Sequence, residues 1–394
     1  MTIPKSHRIE SIDILRGIVM VIMALDHVRD YFHYGSFFID PTNLETTTPT
    51  LFFTRFITHY CAPVFIFLAG TSAYLYGQKN GQKALSKFLF TRGIWLVFLE
   101  IVLNNLIWWF DIYFSMIALQ VIWAIGLCMI VLSILIKLPY KLILGFGLIL
   151  IFGHNLLDGI VMQGRDLGSI LWYIFHQMQF LPIGSQRVVI IAYPILPWIG
   201  VICTGYALGK LYTSTFSQTL RRKYLVYLGV IALTLFFVIR GINAYGDLVP
   251  WTSQKNTTYT ILSFFNVTKY PPSLAFLLVT LGPALILLAG LENIKNRMTN
   301  FFLVFGRVPF MYYFLHVLVI HLLAMVAVVI QGRPWYDMII TSSNFKNALL
   351  IDYGFSLWVV YGVWISVILL LYPISKRYMI YKINHKEKWW LSYL

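Results

Sequence analysis

The chain has 394 residues, of which 59% are hydrophobic, 17% aromatic and only 11% charged, and its formal net charge is +15. Soluble domains are roughly 45–50% apolar and about 25% charged, so this composition excludes an ordinary soluble enzyme, and no soluble basic surface for nucleic acid is visible. It predicts an all-α fold, a polytopic membrane helix bundle whose positive charge is mainly a topology signal.

Ten apolar runs, each close to the roughly 20 residues that cross a bilayer, follow one another at about 12–34, 55–77, 92–110, 115–136, 140–156, 188–209, 224–240, 273–291, 308–330 and 355–375. With both termini cytoplasmic, the inside segments collect most of the 30 Lys and Arg residues, from Lys5 and Arg8 through Lys79, Lys83, Lys87 and Arg92 to Lys386 and Lys388. Asp40, Asp158, Asp247 and Asp352 fall outside, and the alternation never breaks. No small-residue cleavage site follows the first run, which is expected to stay as a helix. No linker or soluble domain interrupts 1–394, so a single integral-membrane domain is expected, with its longest outer loops at 157–187 and 241–272. Cys61, Cys128 and Cys203 have no paired spacing and read as core residues, so neither disulfide nor metal is expected.

The first run holds the densest chemistry. Asp13 and Arg16 stand near one end, and Asp26, His27, Arg29, Asp30 and His33 near the other. Ionisable groups cost several kcal/mol in hydrocarbon, which makes them functional candidates. Eleven residues separate Arg16 from His27, about 16 Å along one helix. The outer charges repeat at i,i+3 and i,i+4 and so can pair on one surface, either as a solvated helix end or as carboxylates that orient an imidazole base. Asp26 and His27 lie a turn deeper than Arg29, Asp30 and His33, which favours function for the deeper two.

The second run brings Arg55 and His59 to a similar outer depth, where His59 either flanks the same substrate as His27 or bonds a neighbouring helix. Gly70, Thr71 and Ser72 read as a helix-packing patch rather than a phosphate cradle. Glu100, Asn104, Asn105 and Gln120 are polar residues that line a cavity or join helices. His316 and His321 are five apart and point to different sides, a poor metal pair; His316 suits a cavity wall and His321 an interhelical bond. Arg307 and Arg16 fit a phosphorylated ligand entering from the cytosol, since guanidinium binds phosphate bidentately. Lone membrane-edge arginines also snorkel to lipid, and Asp13 at i−3 also serves to neutralise Arg16.

SIDILRG with the downstream MALDH, then APVFIFLAGTS, LPWIGVICTGYALG and FGRVPFMYYFLHV resemble the heparan-alpha-glucosaminide N-acetyltransferase catalytic-domain family and its bacterial relatives. An Arg followed about ten residues later by a His on the first helix is also similar to the wider superfamily of membrane acyltransferases. The resemblance spans nearly the whole chain and implies transfer of an acyl group from cytosolic acyl-CoA, acetyl-CoA by default, to a sugar or glycan acceptor at the periplasmic or lumenal face. It places Asp13 and Arg16 on the donor side, where Arg307 also fits by its charge, and His27 at the transfer site, with Asp26 or Asp30 behind it and His59 second and His33 third as candidate bases. Arg29, His33, Arg55, Asn105 and His316 then bind substrate, Asn105 or Thr71 serving the oxyanion. The chain departs from the family where a later histidine in the first outer loop is reactive, because 35–54 here contains no His. Direct attack by the acceptor is therefore at least as well supported as an acetyl-histidine intermediate.

The expected partners are acyl-CoA, a glycan acceptor and the lipid bilayer, with a homodimer allowed and nucleic acid excluded; the expected site is a bacterial inner membrane. The competing class is a proton-coupled transporter or flippase of a polar solute, with Asp26, His27 and Glu100 as a relay. Matched, broken helices near the midplane would favour transport. A structural or sensory protein would leave the polar clusters without a use.

Overall fold

The computed structural model describes residues 9–392, which fold mainly into helices; Lys5 and Arg8, used above for topology, lie outside the described residues. The first half contains α1 (Glu10–Phe32), α2 (Pro49–Thr58), α3 (Cys61–Asn80), α4 (Gln82–Leu99), α5 (Asn105–Trp109), α6 (Val121–Leu135), α7 (Tyr140–Gly153) and α8 (Leu167–Phe175). The second contains α9 (Leu196–Leu208), α10 (Gln218–Ile242), α11 (Thr257–Phe265), α12 (Leu274–Gly290), α13 (Arg297–Arg307), α14 (Pro309–Ile330), α15 (Ser342–Lys346) and α16 (Leu357–Asn384). The start of α1 defines the near end of the bundle and its finish the far end.

Among the described residues, five stretches are long and apolar enough to cross a membrane, namely Pro49–Asn80, Tyr140–Leu157, Gln218–Ile242, Pro309–Ile330 and Leu357–Asn384. Two shorter apolar helices, α6 and α12, accompany them. The first helix has 23 residues, about 34 Å of rise, but its charged residues keep it from matching a purely apolar span. Local chemistry explains several boundaries. Thr48 caps α2 by accepting from the Leu51 N–H at 3.2 Å. Pro63 lacks an N–H and its ring crowds the carbonyl four residues back, so the α2–α3 stretch breaks at His59–Tyr60.

Helices approach closely through facing glycines. A Cβ on Gly17 would sit 1.8 Å from the Phe302 carbonyl oxygen, and one on Gly306 would sit 1.7 Å from that of Asp13. That contact seats α13 against the near half of α1. Gly70 meets the backbone of α9 in the same way, and Thr71 donates to the Gly205 carbonyl at 2.9 Å. The Gly70–Ser72 patch is thus a packing element, as its composition predicts, and Thr71 is not an oxyanion donor because its hydroxyl is committed.

The all-α expectation needs correction. Three strands, β1 (Met116–Leu119), β2 (Gln179–Ile183) and β3 (Arg187–Ile191), form a small sheet in the order β1-β3-β2. β1 runs parallel to β3, pairing Met116 with Val188 through Leu119 with Ile191, and β2 is antiparallel to it. β1 and β3 occupy the starts of the predicted helical spans 115–136 and 188–209. Periodicity cannot distinguish a short apolar strand from the end of a buried helix, and β3 is β-branched at Val188–Ile191.

Candidate active site

Asp26 sits at the centre of the far end. Its carboxylate is 2.7 Å from Arg55 Nη1 at both oxygens, 3.0 Å from Arg29 Nη2, and accepts from the Thr58 hydroxyl at 2.8 Å. Arg29 also meets Asp30 at 2.5 Å. A buried carboxylate is tolerated when cations and hydrogen bonds fill its lone pairs, and four donor contacts do so here. The cluster binds α2 to α1 beside His27.

His27 does not use a neighbouring carboxylate. Its Nδ1 lies 2.8 Å from His316 Nε2, and His316 Nδ1 lies 2.8 Å from the Tyr312 carbonyl oxygen. A carbonyl only accepts, so with both rings neutral His316 carries its proton on Nδ1 and His27 donates from its own Nδ1. The lone pair of His27 then falls on Nε2, which makes no hydrogen bond within the described residues and is not sealed from solvent. Trp108 and Tyr313 stand edge-on to the ring at 4.9 and 5.8 Å between centroids. The expectation that Asp26 or Asp30 orients the imidazole is therefore corrected: Asp26 is committed to arginine, Asp30 to Arg29, and His316 is the orienting group. The i,i+5 spacing of His316 and His321 hid this, because His316's partner comes from another helix.

His59 ends α2, its ring between Phe56 and Phe276 at 5.9 and 5.3 Å. Among the described residues its Nδ1 is buried without a partner, as is Arg29 Nη1. Native structures leave few such atoms, and those they leave usually meet a ligand or water. His33 follows the last turn of α1 at the rim, in a backbone bridge with Phe355, away from the His27 pair. His321 is held between the carbonyls of Ile107 and Met338 at 2.8 and 2.9 Å, the interhelical role its position suggests.

Asn105 also changes role. Its Oδ1 accepts from Ala118 N at 2.7 Å and Trp109 Nε1 at 3.1 Å, while its Nδ2 donates to the Glu100 carbonyl at 2.8 Å and the Ala118 carbonyl at 3.2 Å. Both ends of the amide bracket β1, which leaves nothing for an oxyanion. Glu100 opens a π-helical turn, Glu100–Asn104, and accepts from the Gln120 and Trp123 N–H groups, both at 3.1 Å. It caps α6, as a carboxylate at a helix N-terminus does.

Lys269 was missed. It lies in the segment between α11 and α12, within electrostatic reach of Asp26, His27 and His59. Asp247 fixes this segment by accepting from the Thr268 N–H and hydroxyl at 3.0 and 2.7 Å and from the Ser273 hydroxyl at 2.7 Å. Asn155 Oδ1 accepts from Leu274 N at 2.9 Å. In the next residue, Tyr270, burial alone would raise the phenol, but Lys269 and Arg55 outweigh it and hold the group below its ordinary value. No signal in the sequence singled it out, because Arg165, Arg187, Lys255, Arg333 and Lys346 fall on the same side of the bundle.

At the near end, Arg16 Nη1 donates to Asp13 at 2.8 Å and to the Gly306 carbonyl at 3.2 Å, and its Nη2 to Ser72 at 3.2 Å. Arg307 Nε lies 3.8 Å from the other Asp13 oxygen. Arg92, treated above only as a topology charge, reaches from α4 over the Phe310 ring at 5.1 Å. Asp13, Arg16 and Arg307 are thus brought together as predicted, and α1 links them to His27.

Comparison with curated proteins gives no match. Residues 8–240, more than half of the chain, match the family described as heparan-alpha-glucosaminide N-acetyltransferase, catalytic. The match includes Asp13, Arg16, Asp26, His27 and His59, and ends before Lys269, Arg307 and His316, which the later helices bring back against α1. The chain belongs to the heparan-alpha-glucosaminide N-acetyltransferase catalytic family.

Proposed function

We propose that the protein is a transmembrane acyltransferase that takes an acyl group, acetyl by default, from acyl-CoA on the cytosolic side and passes it to a sugar or glycan acceptor on the opposite side. The observation that carries this reading is the His27–His316 pair, which leaves the His27 lone pair on Nε2, away from its own support. The proposal takes 1–394 as one integral-membrane unit of ten passes, both termini cytoplasmic, in a bacterial inner membrane.

In this scheme Arg16 and Arg307 receive the phosphates of the donor, and the pantetheine arm follows α1 toward His27, about 16 Å away along the helix. His27 Nε2 removes the proton from the acceptor hydroxyl or amine as that atom attacks the thioester carbonyl. The C–S bond breaks as the acyl bond forms, and the imidazolium returns its proton to the departing thiolate. His316 holds the tautomer throughout, and the arginine-bound Asp26 fixes α2 beside the site. His59 and Lys269 face the acceptor side and are assigned to acceptor binding. No acyl-histidine is invoked. The transporter reading is weakened because its relay is not connected: Asp26 is held by two arginines and Glu100 caps α6.

The test uses purified full-length protein in detergent. Acetyl-CoA and CoA, but not ATP, should raise the melting temperature, since a ligand bound to the native state stabilises it by mass action. Labelled acetyl-CoA with glucosamine-terminated or other glycan acceptors should then release CoA and label the acceptor. A folded protein that ignores both CoA species, yet moves solute in vesicles without CoA, would replace this reading with transport.

A further inference from the structure

A separate cleft of about 560 Å³ lies at the near end between α4 and α6, lined by Gln82, Lys83, Ser86, Lys87, Ser133 and Lys137, with Phe90 and Ile134 at its apolar edge. It contains three lysines and no carboxylate. Their ammonium groups enter no ion pair or hydrogen bond among the described residues. The floor is tied together, Gln82 Nε2 donating to the Ile136 carbonyl at 2.5 Å and Ser86 to the Ser133 carbonyl at 2.8 Å. The 18-residue helix α4 also begins here, its N-cap Gly81 supplying no side-chain cap and its first turn no acid. Uncapped N–H groups and the helix dipole both favour an anion.

The cleft is distinct from the near-end arginine cluster. Lys87 and Arg92 are five residues apart, about 140° around the helix, and Arg92 turns to Phe310 on α14. From Phe90 the cleft continues into Ile94 and Phe98, a half-exposed apolar stripe at i,i+4 spacing on α4, flanked by exposed Ile134 on α6. Cations at the bundle end above an apolar stripe along its side match an amphiphile with an anionic head. A free nucleotide would gain nothing from the stripe.

We propose that this cleft binds the phosphate headgroup of an anionic phospholipid, with Lys83, Lys87 and Lys137 as its cationic ligands and the Phe90, Ile94 and Phe98 stripe against an acyl chain. The test measures lipid retention by native mass spectrometry, and melting temperature, on the full-length protein in detergent with phosphatidylglycerol, phosphatidylcholine, CoA or inorganic phosphate added. Phosphatidylglycerol should be retained and should stabilise the protein, while phosphatidylcholine and inorganic phosphate should do neither. K83Q/K87Q/K137Q should weaken phosphatidylglycerol binding on the order of a hundredfold, each lysine near an anionic lipid being worth about 1 kcal/mol. K83R/K87R/K137R, which keeps the charges, should retain it and so separates loss of charge from loss of fold. Equal phosphatidylglycerol binding by the wild type and the Gln variant would overturn the proposal. So would a CoA-induced stabilisation that disappears in the Gln variant, since the cleft would then hold a nucleotide phosphate. Acyl transfer through Arg16 and His27 does not depend on the first outcome; the second would move the donor phosphates from Arg16 and Arg307 to this cleft.

Discussion

The two ends of α1 carry the same device in two states of tightness. At each, an aspartate pairs with an arginine three residues later and with a second arginine from another helix: Asp13 with Arg16 and Arg307, Asp26 with Arg29 and Arg55. At the far end the second arginine reaches both carboxylate oxygens at 2.7 Å and Thr58 adds a fourth donor contact. At the near end it stands off at 3.8 Å, and Arg16 divides its donors among Asp13, Gly306 and Ser72. A carboxylate whose lone pairs are all filled fixes helices, and on the reading proposed above the far cluster is the frame around His27 while the near arginines receive the donor phosphates.

The largest effect should come from opening the closed cluster. Asp26→Ala leaves Arg29 and Arg55 buried without their carboxylate, and breaking a buried ion pair from one side costs about 3–5 kcal/mol. Asp13→Ala should cost less, about 1.5–3 kcal/mol, the range of a hydrogen bond to a charged group, because Arg16 keeps Gly306 and Ser72. Denaturation of both variants in one detergent reads the difference. Equal losses would mean that the two clusters are not different devices.

Activity should divide the ends differently. His27→Ala should lower kcat roughly 10²–10⁴-fold, the range for a general base, in protein that still folds. His316→Gln places a side-chain oxygen where His27 Nδ1–H can still donate and should keep much more activity than His316→Leu. Should the two His316 variants prove equally impaired, His316 would be packing rather than orienting. Wild-type turnover by the His27 variant would move the base to His59.

Opening the near cluster should instead be seen in binding. Arg16→Ala should raise KM for acyl-CoA roughly ten- to hundredfold while kcat holds, as expected for one lost charge-assisted hydrogen bond to the donor. A fall in kcat at constant KM would place Arg16 in the chemistry and contradict its assignment to the donor.

The sequence made some of this legible. The charge pairs of α1 follow from helical spacing, and the cost of charge in hydrocarbon marks His27, Arg16 and Arg307 as candidates. Spacing alone could not show which neighbour each group chooses. Asp26 could pair with His27 or with an arginine, and only the break at His59–Tyr60, which brings Arg55 over α1, decides it. The same limit explains Asn105, whose partners lie on a strand read as helix, and His316, whose partner is 289 residues away. Glu100 looked like a relay because its capping of α6, through N–H groups 20 and 23 residues further along the chain, depends on tertiary geometry rather than on local pattern.

Lys269 gives the finest division between the ends. It enters no ion pair among the described residues, and its segment is held by Asp247 and Asn155 rather than by its own charge. Lys269→Gln should therefore leave the KM for acyl-CoA unchanged. If the far end receives the acceptor, the same substitution should shift the acceptor KM by roughly two- to fivefold, the scale of one partly exposed charge, and the shift should shrink as salt rises. A change in the acyl-CoA KM instead would mean that the donor extends past His27 to the Lys269 segment, and that the two ends are not assigned to separate ligands.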